Sequence, residues 1–231
     1  MSRDSVQKGL PFMKMHGLGN DFVVIDRRNG GRTVSTALVR ALGDRHRGVG
    51  FDQLVLIDQG NGNAAAGLTF LNADGSEAGA CGNATRCVAR YLLDETGGDG
   101  LALETERGLL ACEAMPNGEI RVNMGEPFLG WEDVPLAEDV DTLNLPIEGN
   151  PVATGVGNPH CTFFVDDAES GELEAKGSES EHHPLFPART NVQFASVTSE
   201  NRLRVRVWER GVGVTLASGS SSCAVAVAAA R

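Results

Sequence analysis

Gly17-Leu18-Gly19-Asn20 recurs as Gly155-Val156-Gly157-Asn158, an offset of 155 − 17 = 138, and in each copy an aromatic, valine-containing run ending in Asp follows. A second match lies at nearly the same distance. Ala80-Cys81-Gly82-Asn83 aligns with Ala217-Ser218-Gly219-Ser220 (218 − 81 = 137), and Val88-Ala89 falls on Val225-Ala226. Between these anchors Gln53 meets Asn191 (191 − 53 = 138) and Asn72 meets Glu209 (209 − 72 = 137). A repeat of this size sets architecture before any local motif does. Two halves of one plan, facing each other across a pseudo-twofold axis, bring these paired positions to one cleft, and interfaces between domains are favoured ligand sites.

The 231 residues suit two small domains, each with its own core. Excess acid, 31 Asp and Glu against 20 Lys and Arg for a net charge of -11, repels phosphate backbones and anionic lipid and argues against nucleic acid as a partner. No apolar run reaches the roughly 20 residues that cross a bilayer. The start, Met1 to Lys14, lacks the charged-then-apolar order of a secretory signal, so a soluble cytoplasmic protein is expected. The cysteines Cys81, Cys87, Cys112, Cys161 and Cys223 are odd in number and form no CxxC pair, which suits free thiols rather than disulfides or zinc.

Short apolar or alternating runs predict strands at Phe22 to Ile25, Leu54 to Ile57, Leu68 to Leu71, Leu101 to Glu104, Glu119 to Met124, near Val152, at Cys161 to Val165 and at Leu203 to Trp208. Helices are expected at Thr36 to Leu42 behind a Ser35 cap, at Asn83 to Leu93 and from Ser220 onward. Asn117-Gly118 reads as a hairpin turn. The proline-punctuated acidic stretch Glu126 to Asn150 reads as a connection, giving domains 1–125 and 126–231. Glu169 to Pro187 has no hydrophobic period and reads as a solvated loop, with His182-His183 a surface pair rather than a metal site. The fold class is therefore α+β, strand-rich, in two pseudo-symmetric halves.

Each Cys/Ser-Gly-Asn/Ser turn hands a loop over to a helix, so free N–H groups and the positive end of the helix dipole point into the cleft, ready for a carboxylate. The same dipole lowers the pKa of a thiol at that position, which makes Cys81 a base or nucleophile, although an isolated cysteine is more often a small core residue. Helix ends that hold a carboxylate also stabilise the negative charge left as an α-proton departs, so no pyridoxal cofactor is required. Lys8, Lys14 and Lys176 are the only lysines, and none announces itself as a cofactor anchor. Gly17-Leu18-Gly19-Asn20 lacks the third glycine and the following helix of a dinucleotide fingerprint. His160, two residues after Asn158, is placed to tune a neighbouring thiolate, against the ordinary reading of a structural histidine. Glu209-Arg210 reads as contacts for an amino group and a carboxylate, or as a simple ion pair.

With these residues in hand, the chain from Lys14 to its last residue resembles the diaminopimelate epimerases. The matching motifs are Lys14-Met15-His16-Gly17-Leu18-Gly19-Asn20-Asp21-Phe22, Asn72-Ala73-Asp74-Gly75-Ser76-Glu77 leading to Cys81-Gly82-Asn83, Gly157-Asn158-Pro159-His160-Cys161, and Glu209-Arg210-Gly211. The resemblance implies two domains, each a mostly antiparallel sheet wrapped around a central helix, and a homodimer. It implies interconversion of LL- and meso-diaminopimelate in lysine and peptidoglycan-precursor synthesis, with no cofactor and no metal. Cys81 would be one of two opposed acid/base thiols, with position 218 holding the other. Substrate contacts would come from Asn20, Gln53, Asn72, Gly82, Asn83, Asn158, Asn191, Glu209, Arg210, Gly219 and Ser220, with His160 and Glu209 also acting on thiol pKa.

The chain departs from that pattern at two points. Position 218 is serine, a far weaker acid than a thiol, and Cys223, more than a helical turn further on, is too distant to substitute. The strand pair that follows the first central helix, Leu101 to Met124, has no counterpart after the second, so a truncated second domain with an exposed helix and open strand edges is expected. These departures keep alternatives open: a related isomerase or dehydratase, a catalytically silent amino-acid-binding homologue, or a cysteine hydrolase using Cys81 and His160.

Overall fold

The computed structural model describes residues 9–31, 33–79 and 81–231; Lys8, with the rest of the first eight residues, and Ala80 of the turn motif lie outside them. The first half runs β1 (Met13–Gly17), β2 (Asn20–Asp26), α1 (Thr36–Gly43), β3 (Gln53–Gln59), β4 (Ala66–Asn72), β5 (Glu77–Ala78), α2 (Gly82–Thr96), β6 (Gly100–Thr105), β7 (Gly108–Ala114) and β8 (Ile120–Val122). The second runs β9 (Val152–Gly155), β10 (Pro159–Phe164), α3 (Leu173–Glu181), β11 (Asn191–Ser199), β12 (Arg202–Glu209), β13 (Gly213–Thr215) and α4 (Gly219–Ala230).

Each half folds into its own sheet. The first has eight strands ordered β1-β2-β3-β4-β6-β7-β8, with β5 on β4, and the second five, β13-β12-β11-β10-β9. The repeat extends to register. β2 runs parallel to β3 and β10 parallel to β11, with Phe22 opposite Gln53 and His160 opposite Asn191, both pairs displaced by 138; the first sheet has a further parallel pair, β4 with β6. A parallel pair needs a crossover, and for the two repeated pairs α1 and α3 supply it.

The helix α3 lies within the segment expected to be a solvated loop. It was hidden because its apolar residues follow no helical period: it buries Leu173, Gly177, Ser180 and Glu181, a set with little hydrophobic contrast. Gly177 is there because the helix backbone lies against Trp208; a Cβ at that position would come within 2.7 Å of the indole Cγ. His182 is exposed, and no group of metal-binding residues occurs among those described. The stretch 126–150 contains no regular element, only a bridge from Phe128 to Gly155. It is nonetheless more than a connection, since Val134, Leu136, Leu145 and Ile147 are buried in the second core with Cys161, Phe163, Phe186 and Phe194.

The two central helices are seated differently. Beneath α2, Phe22, Val24, Val55, Phe70, Val88 and Leu92 form an apolar cluster, which β6, β7 and β8 extend around the helix. At the positions 138 residues on, Phe22, Val24 and Val55 become His160, Thr162 and Gln193, all wholly buried. The helix α4 thus rests partly on a hydrogen-bonded layer. It contacts β9 to β12 and α2, while Ser222, Ala226, Ala229 and Ala230 are exposed; no strand follows it among the described residues.

Candidate active site

The helices α2 and α4 begin side by side, each capped by the residue in the matching position of the repeat. Cys81 and Ser218 are both N-caps in extended conformation, at φ -149°, ψ 96° and φ -138°, ψ 121°. Between them lies a cleft of about 330 Å³. Its walls carry Asn20, Gln53, Asn72, Cys81, Gly82 and Asn83 from the first half, and Asn158, Asn191, Glu209, Arg210, Ser218, Gly219 and Ser220 from the second. Every site residue expected from the sequence is on that wall except His160. Cys223 is not on it.

The thiol of Cys81 donates to Asn20 Oδ1 at 3.9 Å, and Asn83 Nδ2 donates to the same oxygen at 3.3 Å. The sequence-based expectation of a depressed thiol pKa fails. The N–H groups of Asn83 and Ala84 do favour thiolate, but desolvation outweighs them, Glu209 adds to it, and the pKa is pushed up to about 12. At neutral pH Cys81 is therefore a thiol rather than a thiolate. Opposite, Ser218 Oγ accepts from Ser221 N at 3.4 Å, so its hydroxyl oxygen is engaged in capping α4.

Behind Asn20 stands Asp52, a cleft residue that the repeat did not mark. Its Oδ2 accepts from Asn20 Nδ2 at 2.8 Å and from Asp21 N at 3.0 Å, and its Oδ1 from Arg45 Nη2 at 2.7 Å. Lys14 and Arg45 hold the Asp21 carboxyl well below the usual carboxylate range despite its partial burial. Asp52 escaped the sequence reading because its repeat partner is Thr190, not an acid.

His160 lies behind the cleft wall. Gln193 Nε2 donates to His160 Nδ1 at 3.0 Å and to Ser221 Oγ at 3.1 Å, and His160 Nε2 lies 2.8 Å from Asn158 Oδ1. Burial, with Arg210 and Arg107 adding to it, drives the imidazole pKa down to about 3. At neutral pH it carries no charge with which to tune a thiolate, and its contact is with Asn158.

Glu209 and Arg210 do not pair with each other. Glu209 Oε1 accepts from Thr215 Oγ1 at 2.7 Å, and burial raises its pKa. Arg210 donates through Nη1 to Ala188 O at 3.0 Å and through its backbone N to Asn191 Oδ1 at 3.1 Å. The turn is anchored by Glu181, 2% exposed, which accepts from Gly211 N at 2.9 Å, Trp208 Nε1 at 2.7 Å and Arg189 Nη1 at 3.3 Å. Arg107, on the β6–β7 turn, reaches into the other half: its guanidinium donates to Val156 O and lies 5.7 Å from the Phe128 ring centroid. A Cβ on Gly157 (φ +98°) would overlap the Arg107 side chain, so this turn needs glycine twice over.

Solved structures that share this fold include a probable proline racemase from Agrobacterium radiobacter K84 (TM-score 0.67, 17% identity, covering 95% of this chain and 77% of that one). Another is a hydroxyproline epimerase from Agrobacterium vitis (TM-score 0.65, 18% identity, 95% and 76%). Fold and cleft define a class of two-lobed proteins in which each lobe presents a central helix to a shared groove. Within that class the chain belongs to the diaminopimelate epimerase family, whose model matches residues 12–129 and 152–231. The diaminopimelate epimerase of Acidiphilium cryptum (strain JF-5) is 53% identical over 226 residues, spanning 96% of this chain and 81% of that protein. That of Rhodospirillum centenum (strain ATCC 51521 / SW) is 50% identical over 225 residues, 95% and 77%. The chain is accordingly an isomerase by family.

Proposed function

We propose that this protein interconverts LL- and meso-2,6-diaminopimelate by removing the α-proton on one face of the α-carbon and delivering a proton on the other, in lysine biosynthesis and without a cofactor. The observation that carries this is the meeting of two central-helix N-termini, capped by Cys81 and Ser218, at opposite sides of one polar groove. A substrate α-carboxylate lying on these helix ends meets free N–H groups and two positive dipole ends, which stabilise the charge that develops as the α-carbon is deprotonated. Gly82, Asn83, Gly219 and Ser220 supply that cradle in this reading, and Asn20, Gln53, Asn72, Asn158, Asn191, Glu209 and Arg210 hold the rest of the substrate. Residues 1–125 and 126–231 are the two domains, and a cytoplasmic homodimer is the expected assembly.

Cys81 serves one face of the α-carbon as an acid or, once deprotonated, as a base. Ser218 serves the other poorly, because a hydroxyl yields no anion comparable to thiolate near neutral pH. One general acid or base is worth about 10²- to 10⁴-fold in rate, and restoring a thiol by Ser218→Cys is expected to raise epimerisation by that order. The test follows α-proton exchange and epimerisation of both stereoisomers in deuterated water for the two proteins side by side. Exchange by the parent with slow inversion, accelerated in Ser218→Cys, supports the reading; no exchange or inversion by either protein overturns it.

A further inference from the structure

Asn20 and Asn158 occupy equivalent places in the two halves, and both line the cleft, yet different groups back them. Behind Asn20 is a pure acceptor, the Asp52 carboxylate, which takes the Asn20 Nδ2 protons and also Asp21 N–H. The second half cannot copy that arrangement, because the residue equivalent to Asp52 is Thr190 and the one equivalent to Asp21 is Pro159, which has no N–H. There the backing group is His160. Thr162 Oγ1 donates to Gln193 Oε1 at 3.1 Å, which fixes the Gln193 Nε2 protons toward Ser221 Oγ and His160 Nδ1. An imidazole that accepts at Nδ1 carries its proton on Nε2, and that proton goes to Asn158 Oδ1.

We propose that Asp52 is a positioning residue which turns the Asn20 carbonyl toward the Cys81 thiol, while His160, as its Nε2–H tautomer, turns Asn158 the opposite way and leaves its Nδ2 donor for the cleft. The two walls then differ in polarity. At Cys81 the side-chain hydrogen-bond partner, Asn20 Oδ1, is an acceptor for the thiol proton, so that side of the resting site is the acid. On the wall of Ser218 the paired amide offers a donor, suited to an anion. The other titratable or charged groups about Cys81 and its cleft are Glu209 at the end of β12, Arg210 beside it, Cys87 and Arg86 on α2, and Asp52 itself.

The inference rests on reading Cys81 as the acid of the cleft, but its test does not require turnover. The rate of Cys81 alkylation by iodoacetamide, read by mass spectrometry of the Cys81 peptide, is measured against pH for the parent, Asp52→Asn, Asn20→Ala and the double variant. Asp52→Asn lets the new amide donate to Asn20 and reverse it, and Asn20→Ala removes the acceptor. Each is expected to lower the alkylation midpoint by about one pH unit, and Asp52→Asn is expected to add nothing once Asn20 is alanine. An equal shift from Asp52→Asn in both backgrounds would assign the effect to the carboxylate charge alone and overturn the proposal, as would no shift in Asn20→Ala. Should Asp52→Asn fail to fold, Asn20→Ala still decides the first half. The ¹⁵N shifts of His160 in the unaltered protein decide the second: the Nε2–H tautomer through neutral pH is expected, and Nδ1–H refutes it. Failure here, with epimerisation intact, leaves the proposed function standing.

Discussion

His160 is wholly buried with its pKa driven down to about 3, against about 6.5 in an unfolded chain. Between those values the unfolded chain binds a proton that the native protein does not, so stability rises with pH across the window. The contribution is fully present above about pH 6.5 and is lost as pH falls toward 3. Urea unfolding at pH 7.5 and pH 5 tests this: the parent is expected to lose more stability on acidification than His160→Gln, which cannot titrate. Among the site residues, those the repeat could pair all arrive at the cleft, because chain duplication preserves their place in the register. Asp52, Glu181 and Arg107 were illegible for the complementary reason. Each acts through a contact that the repeat-related position does not copy, so no second copy marked it.

At the scale of elements, α3 and α4 depart from the simple pattern of apolar helix on apolar sheet. Gly177 lies within α3, and replacing a helical glycine by alanine ordinarily stabilises by about 1 kcal/mol. Here the added methyl would meet Trp208 at 2.7–2.9 Å, and overpacking of this kind costs about 1–3 kcal/mol. Gly177→Ala is therefore expected to lower the denaturant midpoint and change the Trp208 fluorescence, while a rise in stability with an unaltered spectrum would refute the contact. Strands with aliphatic runs, such as β2, β3 and β4, were legible, as were the capped helices α1 and α2. The helix α3 was not, because what holds it is a close backbone approach and the buried Glu181 carboxylate. Beneath α4 the layer of His160, Thr162 and Gln193 takes the place of oil. Such layers fix geometry only while every member is satisfied, and Thr154 Oγ1, opposite His160 in the sheet, has no hydrogen-bond partner among the described residues.

For the molecule as a whole, a clear tie between the halves is Arg107, whose guanidinium donates to Val156 O. Hydrogen bonds to charged groups are worth about 1.5–3 kcal/mol. Arg107→Ala is expected to weaken diaminopimelate binding by calorimetry while leaving the thermal stability of each sheet nearly unchanged; unaltered affinity would show that the Gly155–Asn158 turn holds its place unaided. Nothing in the run of residues marks this tie, since an arginine in a hairpin turn reads as solvated. Two sheets with separate apolar cores also imply something about how the protein comes apart. Each half can melt by itself, so calorimetry of the free protein is expected to give a broad or double endotherm. A ligand gripped by residues from both sides binds only when both are folded, and saturating diaminopimelate should merge the two events into one sharper peak at higher temperature, making the substrate the element that renders unfolding all-or-none.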